Sequence, residues 1–214
     1  MEIIKTLIDL FLHIDKNLAW VIAQYGLVTY AILFAVIFME TGLVVTPFLP
    51  GDSLLFAAGA LAAMGSFKIV VLYALMLTAA IAGDTVNYWL GHFLGKEVFD
   101  GRSKFFKKAH LDQAEKFYEK HGGKAIVLAR FVPIVRTFAP FVAGVSNMHY
   151  GNFITYNIVG GFAWVTAFLF GGFLFGNIPF VKENFHYVVV AIVLVSVVPI
   201  IMEVWKAKGK GKVE

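Results

Sequence analysis

The sequence predicts an all-α polytopic membrane protein: four transmembrane helices and two re-entrant hairpins arranged as an inverted repeat, with both termini inside. Three observations carry this. Apolar runs of membrane-spanning length recur along the chain, lysine and arginine gather in two segments, and two further apolar stretches are interrupted by proline. Apolar residues make up 59% of the 214 and charged residues 15%, against a soluble norm of about half and a quarter, so a bilayer is the better solvent. The length suits a single membrane domain over 1–214. The absence of cysteine excludes disulfides, thiolate metal sites and cysteine nucleophiles.

Residues 1–19 set Glu2, Lys5, Asp9, Asp15 and Lys16 against Ile3, Ile4, Leu7, Ile8, Phe11, Ile14 and Leu18 at helical spacing. This predicts a helix in the membrane interface and not a cleaved signal peptide. Runs at 20–39, 69–91, 153–177 and 186–205 each approach the ~20 residues that cross the hydrocarbon. Segment 96–124 carries Lys96, Arg102, Lys104, Lys107, Lys108, Lys116, Lys120 and Lys124, and the tail 206–214 carries Lys206, Lys208, Lys210 and Lys212. Both are expected in the cytoplasm by the positive-inside rule, whereas the connections 64–68 and 178–185, with one lysine each, are expected outside. Within the basic segment, 111–121 reads as a short helix with Leu111, Ala114, Phe117 and Tyr118 on one face, ended by Gly122-Gly123 and flanked by charge suited to anionic headgroups.

Two apolar stretches remain. The first, 41–63, contains Pro47, Pro50 and Gly51; the second, 125–148, contains Pro133 and Pro140. These residues predict breaks within each stretch. If both stretches crossed fully, one basic segment would lie outside; if both re-enter, every charge cue is satisfied. Irregular backbone at that depth is tolerated where protein or a wet cavity surrounds it. Residues 20–95 then form span, hairpin and span, and 125–177 form hairpin and span. A repeat agrees: Phe56, Ala58, Gly59, Phe67 and the pair Gly91/Gly95 recur in order as Phe141, Ala143, Gly144, Phe153 and Gly172/Gly176. Copies of opposite orientation are the plan of many secondary transporters. Small-residue pairs alone would also fit plain close packing of helices.

Five ionisable residues fall inside these apolar stretches: Glu40, Asp52, Asp84, Arg130 and Arg136. A charge at the bilayer centre costs on the order of 3 kcal/mol by insertion scales, so they must pair or face water. Three acids cannot all pair with two arginines, and a desolvated carboxyl left over is cheapest in its protonated form, which is the raw material of proton coupling. Each residue alone could equally be half of a structural ion pair. Asp84, Asn87, Tyr88, Gly91, His92 and Gly95 follow at helical spacing and predict one polar, small-residue stripe facing inward. Arg130 and Arg136 bracket Pro133, and a guanidinium stays charged and offers a two-point fork to phosphate oxygens, so they are candidate phosphate ligands.

At these residues the chain resembles the DedA family of membrane proteins, whose common region is also called the VTT or SNARE-associated domain. The carriers are Glu40-Thr41-Gly42, Pro47-Phe48-Leu49-Pro50-Gly51-Asp52, Gly83-Asp84 with Asn87-Tyr88, Gly122-Gly123, and Arg130-Phe131-Val132-Pro133 through Arg136-Thr137. The likeness is closer to the bacterial branch that gave the family its name than to the eukaryotic relatives. It implies a multi-pass protein of the bacterial cytoplasmic (inner) membrane and cell envelope. Members are described as lipid flippases or scramblases, and some as proton-dependent transporters, with undecaprenyl phosphate or phospholipids as attributed substrates. It also implies that the acids matching Glu40 and Asp52 and the arginines matching Arg130 and Arg136 are needed.

The function expected is proton-coupled translocation of a lipid phosphate, with Arg130 and Arg136 binding phosphate and Glu40, Asp52 and Asp84 coupling protons. Expected partners are membrane lipids, their anionic headgroups and protons, and not nucleic acid; a homo-oligomer is left open. Two alternatives stay in view, proton-driven export of small ions or amphipathic cations, and a lipid-organising scaffold. No cofactor or metal is expected. Enzyme chemistry is not expected either, because His13, His92, His110, His121, His149 and His186 are scattered and no nucleophile–base pair or metal cage can be read.

Overall fold

The computed structural model describes residues 14–43, 51–99, 116 and 118–184. Their regular structure is entirely helical: α1 (Ile14–Gly42), α2 (Gly51–Ala63), α3 (Ile69–Phe99), α4 (Ala125–Ala129), α5 (Pro133–Val145), α6 (Tyr150–Val165), a π-helical turn (Thr166–Phe170), α7 (Gly171–Gly176) and α8 (Pro179–Glu183). Two stretches, Ile69–Leu94 and Tyr150–Gly176, are long and apolar enough to cross a membrane, and shorter apolar helices run over Gly26–Gly42, Gly51–Ala63 and Val135–Val145. Helix α1 runs unbroken past the expected boundary at 19/20. The rest of the interfacial stretch, Pro47 and Pro50, residues 100–115, the apolar run 186–205 and the basic tail lie outside the described residues.

The described residues gather into two compact units, one drawn from 14–31, 52–71 and 168–184, the other from 32–43, Gly51, 72–99, 116 and 118–167. In the first, α2 lies against the helix after the π turn. A Cβ added to Gly59 would fall on the carbonyl of Leu169, and one added to Gly172 on the carbonyl of Phe56. The Phe56 and Phe175 rings meet at 5.4 Å. Beyond α2 the chain turns at Gly65 (φ 84°), and the Ser66 N–H reaches back to the Leu61 carbonyl at 3.0 Å. That is a left-handed helix cap of the kind glycine favours.

In the second unit α5 lies against α3 in the same manner. A Cβ on Gly144 would fall on the carbonyl of Tyr88, and one on Gly91 on the carbonyl of Phe141. Helix α5 ends on Asn147 (φ 52°), with the Met148 N–H reaching the Ala143 carbonyl at 3.0 Å. The repeated letters thus carry repeated packing. Gly59 with Leu169 and Phe56 with Gly172 in one unit answer to Gly144 with Tyr88 and Phe141 with Gly91 in the other. The core around α5 is closed by Tyr88, Ile126, Phe138, Phe141, Val142 and Phe153. The Tyr88 ring stacks on Phe153 at 4.4 Å, and its hydroxyl donates to the Met148 carbonyl.

The second apolar stretch breaks where expected at Pro133 and not at Pro140. Helix α4 ends at Ala129, Val132 is extended (φ −117°, ψ 106°), and Pro133 opens α5, where its missing N–H costs nothing. Pro140, expected as a break, lies inside α5, which continues through it. Proline there leaves the Arg136 carbonyl without its helical donor, at a cost of about 3 kcal/mol. Burial of Val135, Phe138, Ala139, Phe141, Val142 and Ala143 in the surrounding turns offsets that cost. Gly51, also expected at a break, is the first residue of α2.

Candidate functional site

Four of the five ionisable residues singled out above meet in the second unit. Arg130 follows α4 at the break, where no continuing helix fixes it, and its guanidinium Nη2 donates to Asp84 Oδ2 on α3 and to Asn157 Oδ1 on α6, both at 2.6 Å. A longer contact of 3.4 Å reaches the Ala80 carbonyl. The side chains of Arg130 and Asp84 are 4% and 5% exposed. Arg136, in the first turns of α5, forms an ion pair with Glu40 near the end of α1. Here the Arg136 side chain keeps 13% exposure against 1% for Glu40. Both guanidinium carbons stand over the Trp164 ring, at 5.8 and 5.6 Å from its centroid, within range of cation–π attraction.

Neighbouring small and amide residues make this arrangement fit. A Cβ on Gly160 would come within 3.1 Å of Arg130 Cδ, and one on Gly161 within 3.5 Å of its Nη2, so the glycine pair of α6 leaves the arginine its berth. Asn157 is fixed in turn by donating to the Ile81 carbonyl at 3.0 Å and to Thr85 Oγ1 at 3.3 Å. Asn87 on α3 ties α1 to α5 by donating to the carbonyls of Thr41 (3.0 Å) and Thr137 (2.8 Å). Gly42 and Gly83 let α1 and α3 approach; a Cβ on Gly83 would collide with the Thr41 side chain. At Gly51 a Cβ would overlap the Glu40 carboxylate, so the glycine there leaves room for a charge. The result is a small, partly enclosed recess, lined by Glu40, Thr41, Asp84, Arg130, Arg136, Thr137 and Trp164.

Asp52, the fifth ionisable residue, is half-buried in the first turn of α2 and belongs to the other unit. Of the stripe on α3, Asp84, Asn87, Tyr88 and Gly91 are buried and His92 is exposed. At about 100° per residue His92 stands about 80° round the helix from Asp84, on the edge of the stripe, where it packs among aromatic rings. Sequence reading passed over Asn157, Trp164 and the Gly160-Gly161 pair. An asparagine in an otherwise apolar run was the available signal, since a polar group there needs partners inside the protein.

Residues 49–174 match the family model of the VTT domain. Protein DedA of Escherichia coli (strain K12) is 52% identical over 211 residues, which cover 97% of this chain and 96% of that one. An uncharacterized membrane protein of Mycobacterium leprae (strain TN) is 40% identical over 171 residues, 79% of this chain and 77% of its own. The inner membrane protein YghB of Escherichia coli (strain K12) is 36% identical over 159 residues, 73% and 72% of the two chains. No solved structure matches the chain.

Proposed function

The chain belongs to the DedA family of VTT-domain membrane proteins, and from that premise we propose that it carries out proton-coupled translocation of a lipid phosphate, such as undecaprenyl phosphate or a phospholipid, across the bacterial inner membrane. The observation that carries the reading is the pairing of two buried carboxylates with two guanidiniums against one indole ring, around one shared recess. Such pairs are poor devices for stability alone, because desolvation consumes most of their attraction. They are good devices for exchange, since an incoming phosphate can replace a carboxylate on the same fork.

The membrane arrangement read from the loop charges belongs to the same proposal. Helices α2 and α5 have 13 residues each, about 20 Å at 1.5 Å per residue, which falls short of the ~30 Å hydrocarbon and supports re-entrant hairpins. The stretches of 26 and 27 residues reach about 40 Å and span it. The recurring glycine-on-carbonyl contacts support an inverted repeat. With the basic segments inside, both termini are cytoplasmic.

In the cycle we envisage, a proton taken from outside neutralises Glu40, and Arg136 turns to the phosphate while the acyl or prenyl tail stays in lipid. Loss of the proton to the cytoplasm restores the ion pair and expels the headgroup. Asp52 keeps the proton-coupling role read from the sequence. The test is headgroup translocation in liposomes with and without a pH gradient: native protein should respond to the gradient and Arg136→Ala should not. Equal rates for the two would end the proposal. Asp84→Asn and Glu40→Gln should lower lipid movement, whereas a cation exporter would lose cation binding in those variants with no effect on lipid.

A further inference from the structure

Resting on that reading, we infer that the two arginines have different tasks: Arg130 is a fixed charge that stays on its carboxylate, and Arg136 alone exchanges partners, so the recess takes up one proton together with a headgroup of one negative charge. Arg130 is held by acceptors from two helices, Asp84 and Asn157, with the Ala80 carbonyl beyond. The Gly160 backbone of α6 shields its Nε, which lies 3.2 Å from where a Gly160 side chain would start. Freeing it would strand Asp84 and Asn157 together, in a place 4–5% exposed. Arg136 keeps 13% exposure beside the recess, and its partner Glu40 abuts a glycine, Gly51, that leaves the carboxylate room.

Charge conservation then names the class of cargo. The charged groups lining the recess are Glu40 from α1, Asp84 from α3, Arg130 from the break and Arg136 from α5; α6 adds only the Trp164 indole. Together they sum to zero. One proton on the Glu40 oxygen facing Arg136 leaves the recess with a single positive charge, which a phosphodiester headgroup cancels. A phosphomonoester, undecaprenyl phosphate included, carries about −1.5 to −2 at neutral pH, with its second proton lost near pH ~6, and would leave an uncompensated negative charge at membrane depth, so of the two cargoes proposed above this balance selects the phospholipid. On release the proton leaves Glu40 for water and Arg136 returns, so charge balances on both half-steps. Asn157 is the positioning residue that enforces the split.

The test reconstitutes the full chain in liposomes with a fluorescent phosphatidylglycerol (diester) or phosphatidic acid (monoester). The diester should move faster at about pH 7.5, with the gap closing as pH falls through ~6. Arg136→Lys, which loses the fork, should raise the half-saturating lipid concentration at least about tenfold, whereas Arg130→Lys should lower the maximal rate and leave half-saturation within about twofold. Asn157→Leu should lower the maximal rate and leave half-saturation within about twofold, as Arg130→Lys does; this variant decides the matter if Arg130→Lys does not fold. Equal half-saturation shifts in the two lysine variants, a monoester preference in native protein near neutral pH, or a half-saturation shift in Asn157→Leu as large as that in Arg136→Lys would overturn the split. Should native protein move neither lipid, translocation falls. The split is then judged by thermal-shift binding of dihexanoyl phosphatidylglycerol in detergent. Binding that needs Arg136 and survives Arg130→Lys sustains it; equal loss in both variants, or none in native protein, refutes it.

Discussion

Removing both partners of the Arg130–Asp84 pair should cost the protein less than the two single removals added together. The two side chains are 4% and 5% exposed and 2.6 Å apart, so Asp84→Ala leaves a buried guanidinium facing only neutral acceptors. Breaking a buried pair in this way costs roughly 3–5 kcal/mol. The Asn157 oxygen, also at 2.6 Å, still accepts from Arg130 and places the expected loss near the lower end, about 3 kcal/mol. Arg130→Met should cost a similar amount, because Asp84 is then a buried carboxylate without its guanidinium. The double variant Asp84→Ala/Arg130→Met removes both charges at once and should lose less than the sum of the two single changes, with a coupling of about 2 kcal/mol or more. Reversible unfolding in mixed detergent micelles, followed by tryptophan fluorescence, measures all three. If the two single losses simply add, the pair contributes no mutual stabilisation and the fixed-charge assignment of Arg130 has no energetic basis.

Three further outcomes are expected. Gly144→Ala and Gly59→Ala each drive a methyl into a facing carbonyl and should cost about 1–3 kcal/mol by the same unfolding assay, whereas Gly26→Ala, with nothing within 4 Å, should be neutral or stabilising. Gly51→Ala should push the Glu40 carboxylate from Arg136, so that translocation loses its dependence on the pH gradient and the melting temperature falls as the buried pair is broken. Pro140→Ala restores an N–H for the Arg136 carbonyl within a packed helix and should raise thermal stability by a part of the ~3 kcal/mol that proline costs there, and a lowered melting temperature would show that the helix is shaped around the ring.

Sequence by itself determined the membrane class, the break at Pro133, the identity of the charged residues and the buried face of α3. Each of these is a local property: a run of apolar residues, a missing amide hydrogen, a charge whose transfer into lipid is costly, or a period of 3.6. Tertiary structure decided the rest. Which acid holds which arginine depends on residues 46 and 96 apart in the chain, and periodicity names a face without naming what lies across from it. The same holds for Asn157, Trp164 and the Gly160-Gly161 pair, whose value comes only from the guanidiniums brought against them. Pro140 was misread for the converse reason, since a local rule about helix breaking yields when packing on every side of the helix outweighs one lost hydrogen bond.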